Sequence, residues 1–226
     1  MNNFSLHQVL PSKEQIQQLP VFQNLPLQQI QVIHSLQQCH AIEQELKTCT
    51  LFGFDTESKP TFNKGEVSTG PHLIQLASRD KAYLFQISPA ILEFLKAIFE
   101  NKNQMKVGFG LKNDAHLFRK KGIELHNVIE LSKCFSAFGF SNPMGLKNAM
   151  ALLFQVNFPK SKKISTSNWA RKILTPHQIE YAAADAYAPV LVFEELLRLS
   201  LLPKTMTHHL FKLGMQPNTI KAETDA

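Results

Sequence analysis

Cysteine, long apolar stretches and charge are all scarce in this sequence, and each scarcity removes a class of protein. The three cysteines among 226 residues, Cys39, Cys49 and Cys134, are widely spaced and form no C-x-x-C pair. That argues against a zinc knuckle and a disulfide-stapled fold, and leaves free thiols in a reducing compartment as the expectation. No run reaches the roughly 20 apolar residues that span a bilayer. The start, Met1-Asn2-Asn3-Phe4-Ser5, has no basic segment ahead of an apolar core. A soluble, cytoplasmic protein with no membrane partner is expected. Charged residues make up only 19% against 44% apolar, which is globular composition rather than disorder. The net charge of +6 suits a polyanionic partner without requiring one.

Periodicity organises the rest. Residues 1–28, broken by Pro11, Pro20 and Pro26, read as an N-terminal arm of short turns. Residues 30–33 alternate as an edge strand would, and residues 37–47 have helical spacing with Ser35 as a cap. Strands are expected at 51–57, 72–77, 82–87, 105–109 and 128–131, and helices at 89–100, from Asn113 or Asp114 to about Lys121, at 145–155 and at 176–199. On the last helix Tyr181, Ala184, Tyr187, Ala188, Val190, Leu191 and Phe193 form the apolar side. Residues 58–71 and 157–169 read as loops, the second carrying Lys160, Lys162 and Lys163. Strands early and helices late imply an α/β fold, a mixed sheet with early antiparallel strands flanked by helices. The expected division is an arm over 1–28, one domain over 29–202, and an extension over 203–226 whose end is disordered.

Acidic residues then stand out by position. Leu51-Phe52-Gly53-Phe54 is an apolar strand that turns abruptly acidic at Asp55-Thr56-Glu57. Residues two apart on a strand face the same way, so Asp55 and Glu57 present paired carboxylates able to hold a hard divalent cation. Tyr181 and Asp185, four apart on a helix, share a face. Asp114 follows another strand. Each feature alone has a plainer reading: a strand running into solvent, a helix cap, a half-buried helix face. Together they describe a site in which Asp55 bridges two ions, Glu57 and Asp185 hold the ion carrying the nucleophile, and Asp114 holds the other. Tyr181 would place the attacking water, since a phenol with an unperturbed pKa near 10 is a poor base at neutral pH. Crowded carboxylates should have raised pKa values.

At these residues the chain resembles the DEDD, or DnaQ-like, superfamily of 3'-5' exonucleases, in the branch whose third motif contains tyrosine. Within it the sequence is similar to ribonuclease D and the Werner-syndrome exonuclease domain. The motifs are Phe54-Asp55-Thr56-Glu57, Val107-Gly108-Phe109-Gly110-Leu111-Lys112-Asn113-Asp114, and Tyr181-Ala182-Ala183-Ala184-Asp185-Ala186-Tyr187. His72-Leu73-Ile74-Gln75-Leu76-Ala77 and Ser167-Asn168-Trp169 match the flanking pattern. Phe109 and Gly110 depart from it, standing where many members have His and Asn. The resemblance implies a ribonuclease-H-like fold, two divalent cations, Mg2+ or Mn2+, and release of nucleoside 5'-monophosphates from a 3' end.

Nucleic-acid contacts are expected from Thr56, Lys59, Phe109, Lys162, Lys163, Trp169 and Arg171, with Lys64, Lys160 and Lys172 in the same basic surroundings and Leu111 or Phe118 as further pocket walls. Trp169 has two open roles, stacking on substrate or packing its loop. DNA is favoured over RNA as the substrate. An RNA-directed enzyme, a non-catalytic nucleic-acid-binding module and a metalloenzyme acting on free nucleotides are the alternatives.

Overall fold

The computed structural model describes residues 9–61 and 69–203. Helix α1 (Lys13–Gln18) is closed at its start by a reciprocal hydrogen-bonded pair between Ser12 and Gln15. The chain beyond it is tied to a distant loop: Phe22 N donates to Asn157 O at 3.0 Å and Asn157 N donates to Pro20 O at 2.8 Å. Strand β1 (Ile30–Ile33) follows.

Two helices, α2 (Leu36–Ala41) and α3 (Glu43–Thr48), replace the single helix expected over 37–47. The chain turns at Ile42 (φ −110°, ψ 2°), which closes one helix and opens the next. The turn lets Cys39, Ile42 and Leu46 all enter the same core.

The sheet is completed by β2 (Leu51–Glu57), β3 (Leu73–Ala77), β4 (Ala82–Gln86), β5 (Met105–Gly108) and β6 (Val128–Glu130), in the order β1-β4-β3-β2-β5-β6. The β2–β3 and β3–β4 pairs are antiparallel, and the other three are parallel. This is the expected mixed α/β architecture. β3 is buried along its whole length, as are the first four residues of β4, which explains why both read as apolar runs rather than alternating ones. β6 stops at Glu130, and Leu131 begins a short 3-10 turn instead of continuing the strand.

Helix α4 (Pro89–Phe99) is capped by Ser88 with proline at its first position. Helix α5 (Lys112–Lys120) begins earlier than expected, and Asp114 is in its first turn rather than at its cap. Glu130, at the end of β6, instead holds the turn just before the helix: its carboxylate accepts from Gly110 N at 3.0 Å and Leu111 N at 2.8 Å.

Helices α6 (Leu146–Phe154) and α7 (Lys162–Ser165) precede α8 (Pro176–Arg198), which starts from a capping box of Thr175 and Gln178. The second of these, α7, lies within the segment expected to be loop. α8 is more enclosed than a one-sided helix. Ala182, Ala183, Asp185, Ala186, Ala188, Val190 and Val192 are all buried, whereas Tyr181, Ala184, Tyr187 and Leu191 of the expected apolar side are only half-buried. Small side chains let the helix lie close on the sheet. Among the described residues no helix is long and apolar enough to cross a membrane.

Candidate active site

The site forms where β2 runs out beneath α8. A Cβ built on Gly53 would come 1.8 Å from the carbonyl oxygen of Ala186, so only glycine permits the observed approach of helix to strand. Alternation puts Asp55 and Glu57 on the same face of β2 as Gly53. Asp185 is the neighbour of Ala186, and the close crossing therefore sets it against the first-motif pair. One oxygen from each of Asp55, Glu57 and Asp185 lies within 4.8 Å of the others.

Crowding and burial oppose ionisation of all these groups. Burial first, then the charges of Asp185, Glu57 and Asp114, raise the Asp55 carboxyl well above the usual range. Glu57 is pushed up to about 8 by burial and by Asp185. Burial also raises Asp185, against the opposing pull of Lys160. The Tyr181 phenol is raised by burial and by Asp185, so it stays protonated at neutral pH.

Asp185 is 3% exposed and neither of its carboxylate oxygens has a close hydrogen-bond donor, only the looser approaches of the Tyr181 hydroxyl and the Lys160 ammonium. Three close carboxylates, one buried with neither oxygen closely satisfied, have the donor chemistry for a hard divalent cation. Asp114 stands outside this trio. Its Oδ1 accepts from the Thr56 hydroxyl, which holds it at the edge of the site, and burial raises its pKa against that bond.

The expected substrate contacts sort differently. Thr56 has its hydroxyl engaged by Asp114, so its side chain acts within the site. Lys59 is half-buried beside His72, whose Nδ1 accepts from the Lys59 amide at 3.2 Å. Phe109 is half-buried against one core cluster, whereas Phe118 and Leu111 are buried in another. The Phe99 and Phe118 ring centres are 4.8 Å apart. That packing excludes Phe118 and Leu111 as walls of a substrate pocket.

Trp169 is 0% exposed, and its indole N–H donates to Ser165 O at 3.0 Å. Its ring lies 6.0 Å from that of Tyr181. It packs the loop rather than offering a face to a base, which corrects its placement among the nucleic-acid contacts. Lys162 and Lys163 are exposed on α7, and Arg171 is exposed beyond Trp169. Lys64 lies outside the described residues.

Two further residues enter the site. Lys160 Nζ is 3.7 Å from Asp185 Oδ1. In the sequence it was one of several lysines, with no signal to separate it from its neighbours. Gln75 faces Asp55 across the β2–β3 pair, is fully buried, and has neither amide atom hydrogen-bonded. A glutamine within an otherwise apolar strand was the only available sign. Beside the trio, a cavity of about 300 Å3 lies between the arm and α8, with Phe22, Leu25, Leu27, Ile164, Tyr181 and Ala184 among its lining residues.

A family model described as 3'-5' exonuclease matches residues 30–200. The bifunctional 3'-5' exonuclease/ATP-dependent helicase WRN of Mus musculus is 31% identical over 165 residues, covering 69% of this chain and 11% of that protein. The chain spans between 11% and 49% of the length of the curated relatives it matches. In structure it is similar to the Aedes aegypti Nibbler EXO domain, with a TM-score of 0.66 and 21% identity over 88% of this chain and 97% of that one. The Trypanosoma brucei RNase D complex with RNA U12 gives a TM-score of 0.67 and 16% identity, over 87% of this chain and 74% of that one.

Proposed function

The chain belongs to the 3'-5' exonuclease family, and from that premise we propose that it hydrolyses the terminal phosphodiester at a nucleic-acid 3' end, releasing nucleoside 5'-monophosphates. The observation that carries this reading is the Asp55, Glu57 and Asp185 trio, with oxygens within 4.8 Å and neither buried Asp185 oxygen closely hydrogen-bonded.

Asp55, Glu57 and Asp185 hold divalent cation, Mg2+ or Mn2+, with Asp114 serving a second ion from the edge of the site. Such a pair of cations supplies an activated water and stabilises the leaving 3'-oxygen. Tyr181 keeps its proton and so orients the water by hydrogen bonding rather than removing its proton. Lys59, Lys162, Lys163 and Arg171 contact the phosphate backbone, and Phe109 packs against the terminal nucleotide.

DNA is the proposed polymer. The Thr56 hydroxyl spends its one proton on Asp114, so it has none to give a ribose 2'-hydroxyl and could only accept from it. RNA is the second reading, favoured by the likeness to the Trypanosoma brucei RNase D complex with RNA U12.

The test is a time course on 5'-labelled single-stranded DNA, recessed duplex DNA and RNA, with Mg2+ or Mn2+, beside Asp55→Ala protein. A one-nucleotide ladder from the 3' end, abolished by EDTA and by the substitution, is the expected result. Initial rates rank the polymers. Folded protein that cleaves none of them in either metal sinks the proposal.

A further inference from the structure

Lys160 is fixed at its backbone and free at its tip. On one side, Asn157 is bridged to Val21 of the arm and the buried Phe158 packs on Phe22, ring centres 5.2 Å apart. On the other, Ser161 caps α7, its hydroxyl accepting from Ile164 N. The residue between these anchors has little backbone freedom, yet its side chain is 48% exposed and carries four flexible methylenes. Its ammonium lies 3.7 Å from the Asp185 carboxylate and is, among the described residues, the one cation that offsets that group's burial, beside the neutral Tyr181 hydroxyl, on the trio that faces the reaction.

We infer that Lys160 is an exchange cation: it neutralises Asp185 while the trio is empty, and a bound divalent ion releases its ammonium to a phosphate of the substrate strand. This rests on the reading of the trio as a cation site. An ammonium paired with Asp185 already has part of its charge compensated and its tip held inward, so it grips a strand phosphate less well until a cation takes Asp185. Cation loading therefore gates part of the substrate grip. The arm gains a purpose, because residues 20–22 set where that lysine starts.

The consequences run in opposite directions and separate this role from a structural one. Lys160→Met should bind Mg2+ or Mn2+ about two- to fivefold more tightly by calorimetry, the size of a partly exposed ion pair removed as competitor. With Ca2+ as a hard, oxygen-seeking cation, its affinity for a single-stranded oligonucleotide should fall and the log–log salt slope shrink by about 0.7, one phosphate contact on a single strand. In EDTA the variant and wild type should bind the oligonucleotide alike. Lys162→Met is the comparison: it should weaken oligonucleotide binding in both conditions and leave cation affinity unchanged.

Unchanged or weaker cation affinity in Lys160→Met, or equal losses of oligonucleotide binding with Ca2+ and in EDTA, overturns the exchange while leaving the cation site intact. Wild type that takes up no cation overturns both.

Discussion

Gly53 and Ala186 touch so closely that a side chain on the first would enter the carbonyl of the second. This contact is the hinge of the site, because Asp55 follows Gly53 by two residues and Asp185 precedes Ala186 by one. Helix α8 adds a second weakness at the same turn. Pro189 has no N–H to give the carbonyl of Asp185, so the crossing on β2 does more to hold that turn than the helix itself.

Gly53→Ala should therefore act on chemistry and stability together. The helix must move off the strand, at a cost of about 1 to 3 kcal/mol or more, as for other overpacked cores. Denaturant unfolding checks the stability loss. Calorimetry with Mn2+ should show cation affinity falling in step, since Asp185 is carried away from Asp55 and Glu57. A folded variant with unchanged cation affinity would show that the trio does not depend on this crossing.

The empty trio should make the protein less stable as pH rises. Glu57 has a folded pKa of about 8 against an ordinary 4.5, and Asp55 and Asp185 are raised in the same direction. Between those values the folded state retains protons that the unfolded chain has released, so stability is full below about 4.5 and drains away up to about 8. In EDTA the Tm should fall across that window, and Asp55→Asn should flatten the fall. Saturating Mn2+ should raise the Tm by about 5 °C or more at pH 8 and far less at pH 5. A Tm in EDTA that rises from pH 5 to 8 would contradict the crowding.

Lys106 works in the opposite sense. It is fully buried on β5, its ammonium donates to Asn101 O at 2.9 Å and Gln104 O at 2.8 Å, and burial brings its pKa down to about 7. Above pH 7 the folded lysine is neutral while the unfolded one still holds its proton, so this group adds stability as pH rises. The gain should be visible from about 7 to 9. Beyond that the half-buried thiol of Cys49 and the buried thiol of Cys134, both pushed up to about 11, pull the other way. Lys106→Met should remove the rise in EDTA melting curves, leaving only the decline due to the carboxylates.

What could be read from the sequence was local. The strand entering Asp55 and Glu57 declares itself by a period of two, and Tyr181 with Asp185 by a spacing of four, because those patterns are set by backbone geometry alone. What could not be read depends on partners distant in the chain. Asp114 looked like a cap because nothing nearby shows that the helix starts at Lys112, just after a turn that Glu130, on another strand, holds in place. The break at Ile42 serves a core built from β3, β4 and α4. Lys160 differs from Lys162 and Lys163 only through its approach to a helix that begins 16 residues later.

Trp169 gives a direct measure of that difference. Buried, bonded to Ser165 and set against Tyr181, it holds α7 on α8. Trp169→Ala should cost about 3 to 5 kcal/mol of stability. Trp169→Phe keeps most of the packing and loses only the indole hydrogen bond, so oligonucleotide affinity in Ca2+ should stay within about twofold of wild type. A large loss of affinity in a stable Trp169→Phe protein would restore a stacking role.

Gln75 separates stability from function most sharply. Its amide is sealed between sheet and helix with no partner, a cost of about 1 to 3 kcal/mol for each unpaired polar group. Gln75→Met has similar length and no such cost, so in EDTA it should be more stable than wild type by at least about 1 kcal/mol. Because Gln75 lies directly across from Asp55, the same variant should lose cation affinity if the amide steadies that carboxylate through a bound water. Melting curves and Mn2+ titrations on the one variant divide the outcomes. More stability with weaker Mn2+ binding marks an amide kept for the site, more stability with unchanged binding marks one with no part in it, and lost stability shows that the amide is hydrogen-bonded in solution.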